Sequence, residues 1–232
     1  MNYLPVTSTA STALYEAQLA IPGQRMCGAA AVVMALRRLG IQTDQKHVWQ
    51  QIAQQHDQHF RASTYHLARF VHQVGLSASV IQSHQPWKVL QTCWQNNLSV
   101  IINHRLGPHH NEGHYSVLAR INRNTIHLHD PSLGPSVAYS KEEFLALWLP
   151  TSSQSEIAGN VLVAITNSDY EPSIWAHCNQ CIPKSMACRN CGNELPLQPV
   201  RALGCVQPTC VQRLWYRLFC PQCDAAHECI SG

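Results

Sequence analysis

Between Gln24 and Gly40 the sequence QRMCGAAAVVMALRRLG has almost no polar face. Ala29, Ala30, Val32, Val33, Met34, Leu36 and Leu39 show nothing to water until Arg37 and Arg38. A helix apolar all round is a buried core helix, and Gly40 supplies its stop. Thr43-Asp44 then caps a helix carrying Val48, Trp49 and Ile52, followed by a polar loop near His56–Arg61. Ser63 or Thr64 caps the next helix, which carries Leu67, Phe70, Val71 and Val74 and closes at Gly75. Leu76–Gln82 alternates like a strand, and Pro86 opens a short helix to about Asn96. From Leu98 the period changes to two, giving strands at Leu98–Asn103, His114–Ile121, Thr125–His129 and Asn160–Thr166. Ser140 and Glu143 form a capping box for a helix through Phe144, Leu147 and Trp148. Helices first and a mostly antiparallel sheet second is an α+β order.

Composition shifts near residue 170, where Asn167–Ser173 reads as a linker. The expected division is therefore 1–169 for the α+β domain and 170–232 for a small second domain. Of eleven cysteines, only Cys27 and Cys93 precede the shift. The first twenty residues do not read as a signal peptide, and no stretch approaches ~18 apolar residues, so no membrane span is expected. Cys-x-x-Cys pairs in such a chain argue for metal rather than disulfides, and for the cytoplasm. Net charge is +3 and only 12% of residues are charged, with no basic block. Charge thus gives no reason to expect nucleic acid as a partner.

Cys27 sits where the core helix starts. Free N–H groups and the positive end of the dipole there favour a thiolate. A thiolate nucleophile needs a base, and the base needs an orienting group. His114 opens one strand in GHYSVLARI, and Asp130 closes the next in TIHLHDPS. Antiparallel pairing puts both at one end of the sheet, so Asp130 can hold one imidazole nitrogen while the other faces Cys27. Fourteen histidines make any one of them ordinary. His104, His109 and His110 read as members of a solvated loop, and His127 and His129 as polar strand residues.

Cys-Gly-Ala-Ala opening an apolar helix, Gly-His-Tyr-x-Val on a strand, and a following Asp-Pro resemble the papain-like cysteine peptidases of the bacteriocin-processing, double-glycine leader type. The resemblance spans about residues 15–166. It includes the capped helix running into Gly75-Leu76 and the strand Leu98–Ile102. It implies a papain-like fold, with Cys27 as nucleophile, His114 as base and acid, Asp130 as orienter and no cofactor for catalysis. Such enzymes carry a glutamine about six residues before the nucleophile, whose amide helps to form the oxyanion hole. Ile21 stands there in this chain. Gln24 and Gln18 are the alternatives, Gln24 being nearer in sequence and preferred, with the Cys27 N–H as second donor.

The tail offers Cys178-x-x-Cys181, Cys188-x-x-Cys191, Cys205-x4-Cys210 and Cys220-x-x-Cys223. Eight thiolates suit two tetrahedral zinc ions. Cys188/Cys191 with Cys220/Cys223 resembles a zinc ribbon, leaving Cys178/Cys181 with Cys205/Cys210; sequential pairing is the alternative. His177, His227 and Cys229 read as bystanders, and Val211–Phe219 as a ribbon strand. Some sixty residues bury little core, so metal would carry the folding of this segment. With five basic residues against four acidic ones, the tail is a poor match for phosphate and a better one for protein.

The expected protein is a thiol peptidase that acts on a peptide or protein and whose zinc module recruits substrate or partner. Other acyl transfers share the same constellation: amidase, deamidase and transglutaminase-like chemistry. A catalytically decayed zinc-binding adaptor is the remaining alternative, suggested by the displaced glutamine.

Overall fold

The computed structural model describes residues 14–56, 59–172, 185–207 and 210–228. Helix α1, Cys27–Arg38, is buried from Cys27 through Leu36. Its two basic residues sit in the last turn, where the dipole favours cations. Arg37 pairs with Glu16 at 2.7 Å, and Arg38 donates to Asn97 at 3.0 Å. Helix α2, Gln45–Ile52, is capped by Asp44, which accepts from the His47 N–H. The expected polar loop is a small exposed hairpin, β1 (Gln54–His56) with β2 (His59–Arg61). Its side chains face water, so no apolar alternation marked it. Helix α3, Thr64–Gln73, starts after Ser63, but no side chain caps it. The Thr64 hydroxyl is instead 3.0 Å from the Tyr115 hydroxyl.

Strand β3 (Leu76–Ser83), helix α4 (Pro86–Gln95) and strands β4 (Ser99–Arg105), β5 (Gly113–Ile121) and β6 (Thr125–Asp130) follow. Strand β7, Gly134–Ser140, was not expected; it is a half-buried edge strand with little apolar content. The capping box of Ser140 and Glu143 opens helix α5, Lys141–Leu147, and β8 is Val161–Asn167. Among the described residues the tail adds β9 (Ser185–Ala187), β10 (Glu194–Pro196), a 3-10 turn (Pro199–Leu203), β11 (Trp215–Phe219) and β12 (Ala226–Glu228). The expected strand at Val211–Phe219 is shorter, because Val211 projects into solvent at 90% exposure.

The main sheet has the order β12-β11-β3-β8-β4-β5-β6-β7, every pairing in it antiparallel. It crosses residue 170: β11 lies against β3, with Leu218 opposite Ile81 and Phe219 opposite Val80. Alternate residues of each strand feed two cores. Val80, Ile101, Val117 and Val163 pack with α1, α2 and α3 on one face. Ile81, Val100, Leu118 and Leu162 pack on the other with α4, α5 and the tail's Leu195, Leu203, Trp215 and Leu218. Strand β3 is accordingly buried along its whole length. Among the described residues no helix is long and apolar enough to cross a membrane.

Candidate active site

Three elements meet at one end of the sheet. Helix α1 brings Cys27, buried at its first position. Strand β5 brings His114, and β6 brings Asp130 at its last position. His114 Nε2 lies 2.8 Å from Asp130 Oδ1, with both side chains almost fully buried. The same imidazole interacts with the Cys27 thiol, each favouring the charged form of the other.

Electrostatics follows from this packing. Burial alone would push the Cys27 thiol up. The hydrogen bond and positive charge of His114 outweigh it, helped by the Tyr115 backbone and by Arg25, so the thiol lies below its ordinary value. Burial likewise pulls His114 down, but Asp130 and Cys27 hold its imidazole at about 9. Asp130 is held at about 2: His114 and backbone donors overcome the cost of burial. Its Oδ1 also accepts the N–H groups of Ser132 (2.8 Å) and Leu133 (3.1 Å) in the turn that Pro131 begins, and its Oδ2 accepts from Ser116 Oγ at 3.1 Å. A carboxylate with four donors is a strong, fixed acceptor. Cys93, by contrast, is a thiol pushed up by burial alone.

Sequence reasoning did not single out Ser116, although period two places it on the face of β5 that carries His114. It also misplaced His104. That residue is not in a solvated loop but 1% exposed on β4, directly opposite His114 in the strand register. Its Nδ1–H donates to the Arg105 carbonyl (2.7 Å), and its Nε2 is 2.9 Å from Ser116 Oγ. Ser116 therefore has one proton and two acceptors within reach. His104, His114 and Asp130 come close enough to hold a metal ion, but the same atoms are already engaged in hydrogen bonds. Only strand register, invisible in the sequence, brings His104 here.

A second cluster flanks the thiol. Glu156 takes both Arg25 NH groups, at 2.9 and 2.7 Å, and Arg61 at 3.0 Å. Its Oε2 also accepts the Gly113 N–H at 2.9 Å, while Arg25 donates to the Gly113 carbonyl at 2.9 Å. A side chain at Gly113 would press on Asn103 and Ile157, each 3.3 Å from the added carbon. Beside these groups opens a cleft of about 450 Å³, lined by Cys27, Arg25, Tyr115, Glu156, Val80 and, from the tail, Phe219 and Asp224.

Neither glutamine lines that cleft. Gln24 closes a turn onto Ile21 (3.1 Å) and bridges to Phe60. Gln18 donates its backbone N–H to the Pro131 carbonyl at 3.0 Å, one residue beyond Asp130.

In the tail, Cys188, Cys191, Cys220 and Cys223 converge. The Cys188–Cys223 and Cys191–Cys220 sulfur separations are both 3.7 Å. A tetrahedron with zinc–sulfur arms of about 2.3 Å has edges of about 3.8 Å, so this cluster could hold one such ion. Asn190, Asn193 and the Gln222 N–H donate to its sulfurs, and His227 Nε2 is 3.2 Å from Cys188 Sγ. This is the outer support that metal ligands usually have. Cys205 and Cys210 are hydrogen-bonded to each other, whereas Cys178, Cys181, His177 and Cys229 lie outside the described residues.

An α+β fold with a cysteine at the head of its central helix, facing a histidine on the sheet, is that of a papain-like cysteine peptidase. The Peptidase C39 family matches residues 22–152, and the chain belongs to that family of cysteine proteases. Among solved structures it is similar to the peptidase domain of Streptococcus ComA, a bifunctional ABC transporter involved in a quorum-sensing pathway. That match has 16% identity and a TM-score of 0.49, covering 66% of this chain and 98% of the other. A double-glycine-motif protease from an AMS/PCAT transporter, solved in complex with the leader peptide, matches at 18% identity and a TM-score of 0.46, covering 65% and 89%. No curated protein matches.

Proposed function

We propose that the chain hydrolyses a peptide bond through Cys27, His114 and Asp130. The observation that carries this reading is the buried His114 ring, held by the Asp130 carboxylate at 2.8 Å and coupled electrostatically to the Cys27 thiol. With His114 held at about 9 and Cys27 lowered, each group favours the charged form of the other, so the pair is biased towards thiolate and imidazolium. The thiolate attacks the substrate carbonyl and an S–C bond forms. His114 passes its proton to the leaving nitrogen as the C–N bond breaks. Water, deprotonated by His114, then attacks the thioester and restores the thiol pair. Asp130 keeps the ring oriented and stabilises its charge.

The Cys27 N–H is one donor to the oxyanion. For the second, the tether of Gln18 beside Asp130 favours Gln18 over Gln24. The tail holds zinc and serves recognition: one ion at Cys188, Cys191, Cys220 and Cys223, and a second that the remaining cysteine pairs of the sequence call for. The test is intact-mass labelling with a thiol-reactive peptide probe on wild type and Cys27→Ala, together with a product screen that includes a double-glycine leader peptide. Labelling at Cys27 and a new amino terminus are expected. A mass change of about one unit on a glutamine, without chain cleavage, would make the enzyme a deamidase.

A further inference from the structure

The tail does more than extend the sheet: it supplies one wall of the cleft in which Cys27 lies. Strand β11 pairs with β3, so Phe219 falls beside Val80 on the face that carries Cys27, while Leu218 turns to the other core. The four-residue knuckle Cys220–Cys223 follows at once, and Asp224 closes it. Asp224 adopts φ 59°, and its N–H donates to the Cys220 carbonyl at 2.9 Å. The Gln222 N–H is 3.4 Å from the Cys220 sulfur, and the Cys220 N–H reaches the Ala225 carbonyl at 3.0 Å. The ligand-bearing turn thus fixes where Asp224 stands.

The charges lining the cleft are unequally served. Arg25 and Arg61 on one wall are both paired with Glu156. Asp224, which lines the same cleft from the tail, is exposed, and among the described residues its carboxylate takes no hydrogen bond or ion pair. A peptide laid in the cleft covers this carboxylate. Covering a charge without a partner is costly, while covering it with an opposite charge selects the ligand that brings one. We infer that Asp224, presented by the metal knuckle, selects peptide substrates that carry a lysine or arginine side chain facing the tail. This rests on the cleft being the place where the substrate lies.

The test uses the full zinc-loaded chain with Cys27→Ala, so that binding is read without turnover. Peptides from a positional library, differing only as lysine, norleucine or glutamate at each site, are compared by fluorescence anisotropy. At one position lysine should bind roughly fivefold or more tighter than norleucine. The preference should vanish in Asp224→Asn and turn towards glutamate in Asp224→Lys. An unchanged ranking in Asp224→Asn, a parent with no preference for lysine, or a library in which nothing binds would each overturn the assignment. Labelling of wild-type Cys27 by a peptide electrophile is scored separately. No labelling counts against the peptidase reading, whereas labelling with no basic preference counts against Asp224 alone.

Discussion

Glu156 joins the two halves of the site: its carboxylate holds Arg25, two residues before Cys27, and the N–H of Gly113, one residue before His114. Each member of this clamp is partly exposed, so its loss should cost the fold only about 1 kcal/mol or less. Its effect on chemistry should be larger, because it sets the approach of thiol to imidazole. Glu156→Gln should lower kcat/KM on the order of tenfold, with KM for a short substrate little changed. A merely structural role would lower Tm and leave the pH profile of Cys27 alkylation where it was. A positioning role moves the acid limb of that profile upward.

The proposed thiolate–imidazolium pair should have a defined pH window. Cys27 lies below its ordinary value and His114 at about 9. Alkylation of Cys27 should therefore already be fast at pH 6–7, and faster than that of Cys93, which burial pushes up. Peptidase activity should fall as pH rises through about 9, when the imidazolium loses its proton. Stability follows the same signs. The raised His114 contributes fully below its ordinary 6.5, and this contribution is lost as pH rises to about 9. The depressed Asp130 contributes above 3.8, and this is lost as pH falls towards about 2. Tm measured against pH in wild type and His114→Ala tests this: the alkaline limb should vanish and the acid limb should shrink, because His114 is also what holds Asp130 down. A variant that keeps the alkaline limb would show that another group causes it.

Ser116 is the donor to Asp130 Oδ2 and lies between it and His104. Ser116→Ala removes that donor from a buried carboxylate and leaves His104 Nε2 without its Ser116 partner. Activity should fall several-fold, less than in Asp130→Asn, for which a loss on the order of a hundredfold is expected. Comparing the two variants by kcat at saturating substrate decides whether Ser116 acts through Asp130. A Ser116→Ala loss as large as that of Asp130→Asn would instead mean that the whole strand pair has shifted.

Much of this site was legible because its parts carry local signals. Cys27 stands before an apolar helix, His114 follows a glycine into an alternating strand, and Asp130 precedes proline. What escaped depends on register. His104 faces His114 only because β4 and β5 pair with those residues opposite. Glu156 meets Arg25 across 131 positions of chain. The hairpin of β1 and β2 escaped because its side chains largely face water, and β7 because, as a half-buried edge strand of mostly small residues, it leaves no clear apolar period. The pairing of β11 with β3 escaped for another reason. The cysteines suggested a tail held by metal alone, yet Leu203, Trp215 and Leu218 also bury an apolar face against the main sheet.

That shared face changes what metal removal should do. A chelator that empties the Cys188–Cys191–Cys220–Cys223 cluster should loosen β11 and expose the edge of β3. A fall in Tm and a loss of peptide turnover are expected together. Truncation after residue 169 should yield a fragment prone to self-association, since it uncovers Ile81 and Leu162. Elemental analysis of the intact chain should give two zinc ions. A value of one would confine metal to the four converging cysteines, and a soluble, fully active fragment 1–169 would show that the tail is dispensable for both fold and chemistry.

The oxyanion donor is the last point at which two residues compete, and the tethers make the outcome measurable. Gln18 is fixed through its backbone to Pro131, so it moves with Asp130 and with the turn that holds it. Gln24 is fixed to Ile21 and Phe60, on the side of the exposed hairpin. Leu19–Gly23 lies between them, with Leu19 N–H held by Gln45 at 3.0 Å. A role for Gln18 would require its side chain to turn into the cleft, which neither glutamine lines, when substrate binds. Removing a true oxyanion donor costs kcat on the order of a hundredfold while leaving thiolate formation intact. Gln18→Ala should show that pattern: slow turnover, but Cys27 alkylated at the wild-type rate by a small electrophile that needs no oxyanion hole. Gln24→Ala should stay within a few-fold of wild type. The reverse ranking would move the donor to Gln24. Equal, small losses in both would leave the Cys27 N–H as the principal donor and explain how the chain dispenses with a glutamine at the position of Ile21.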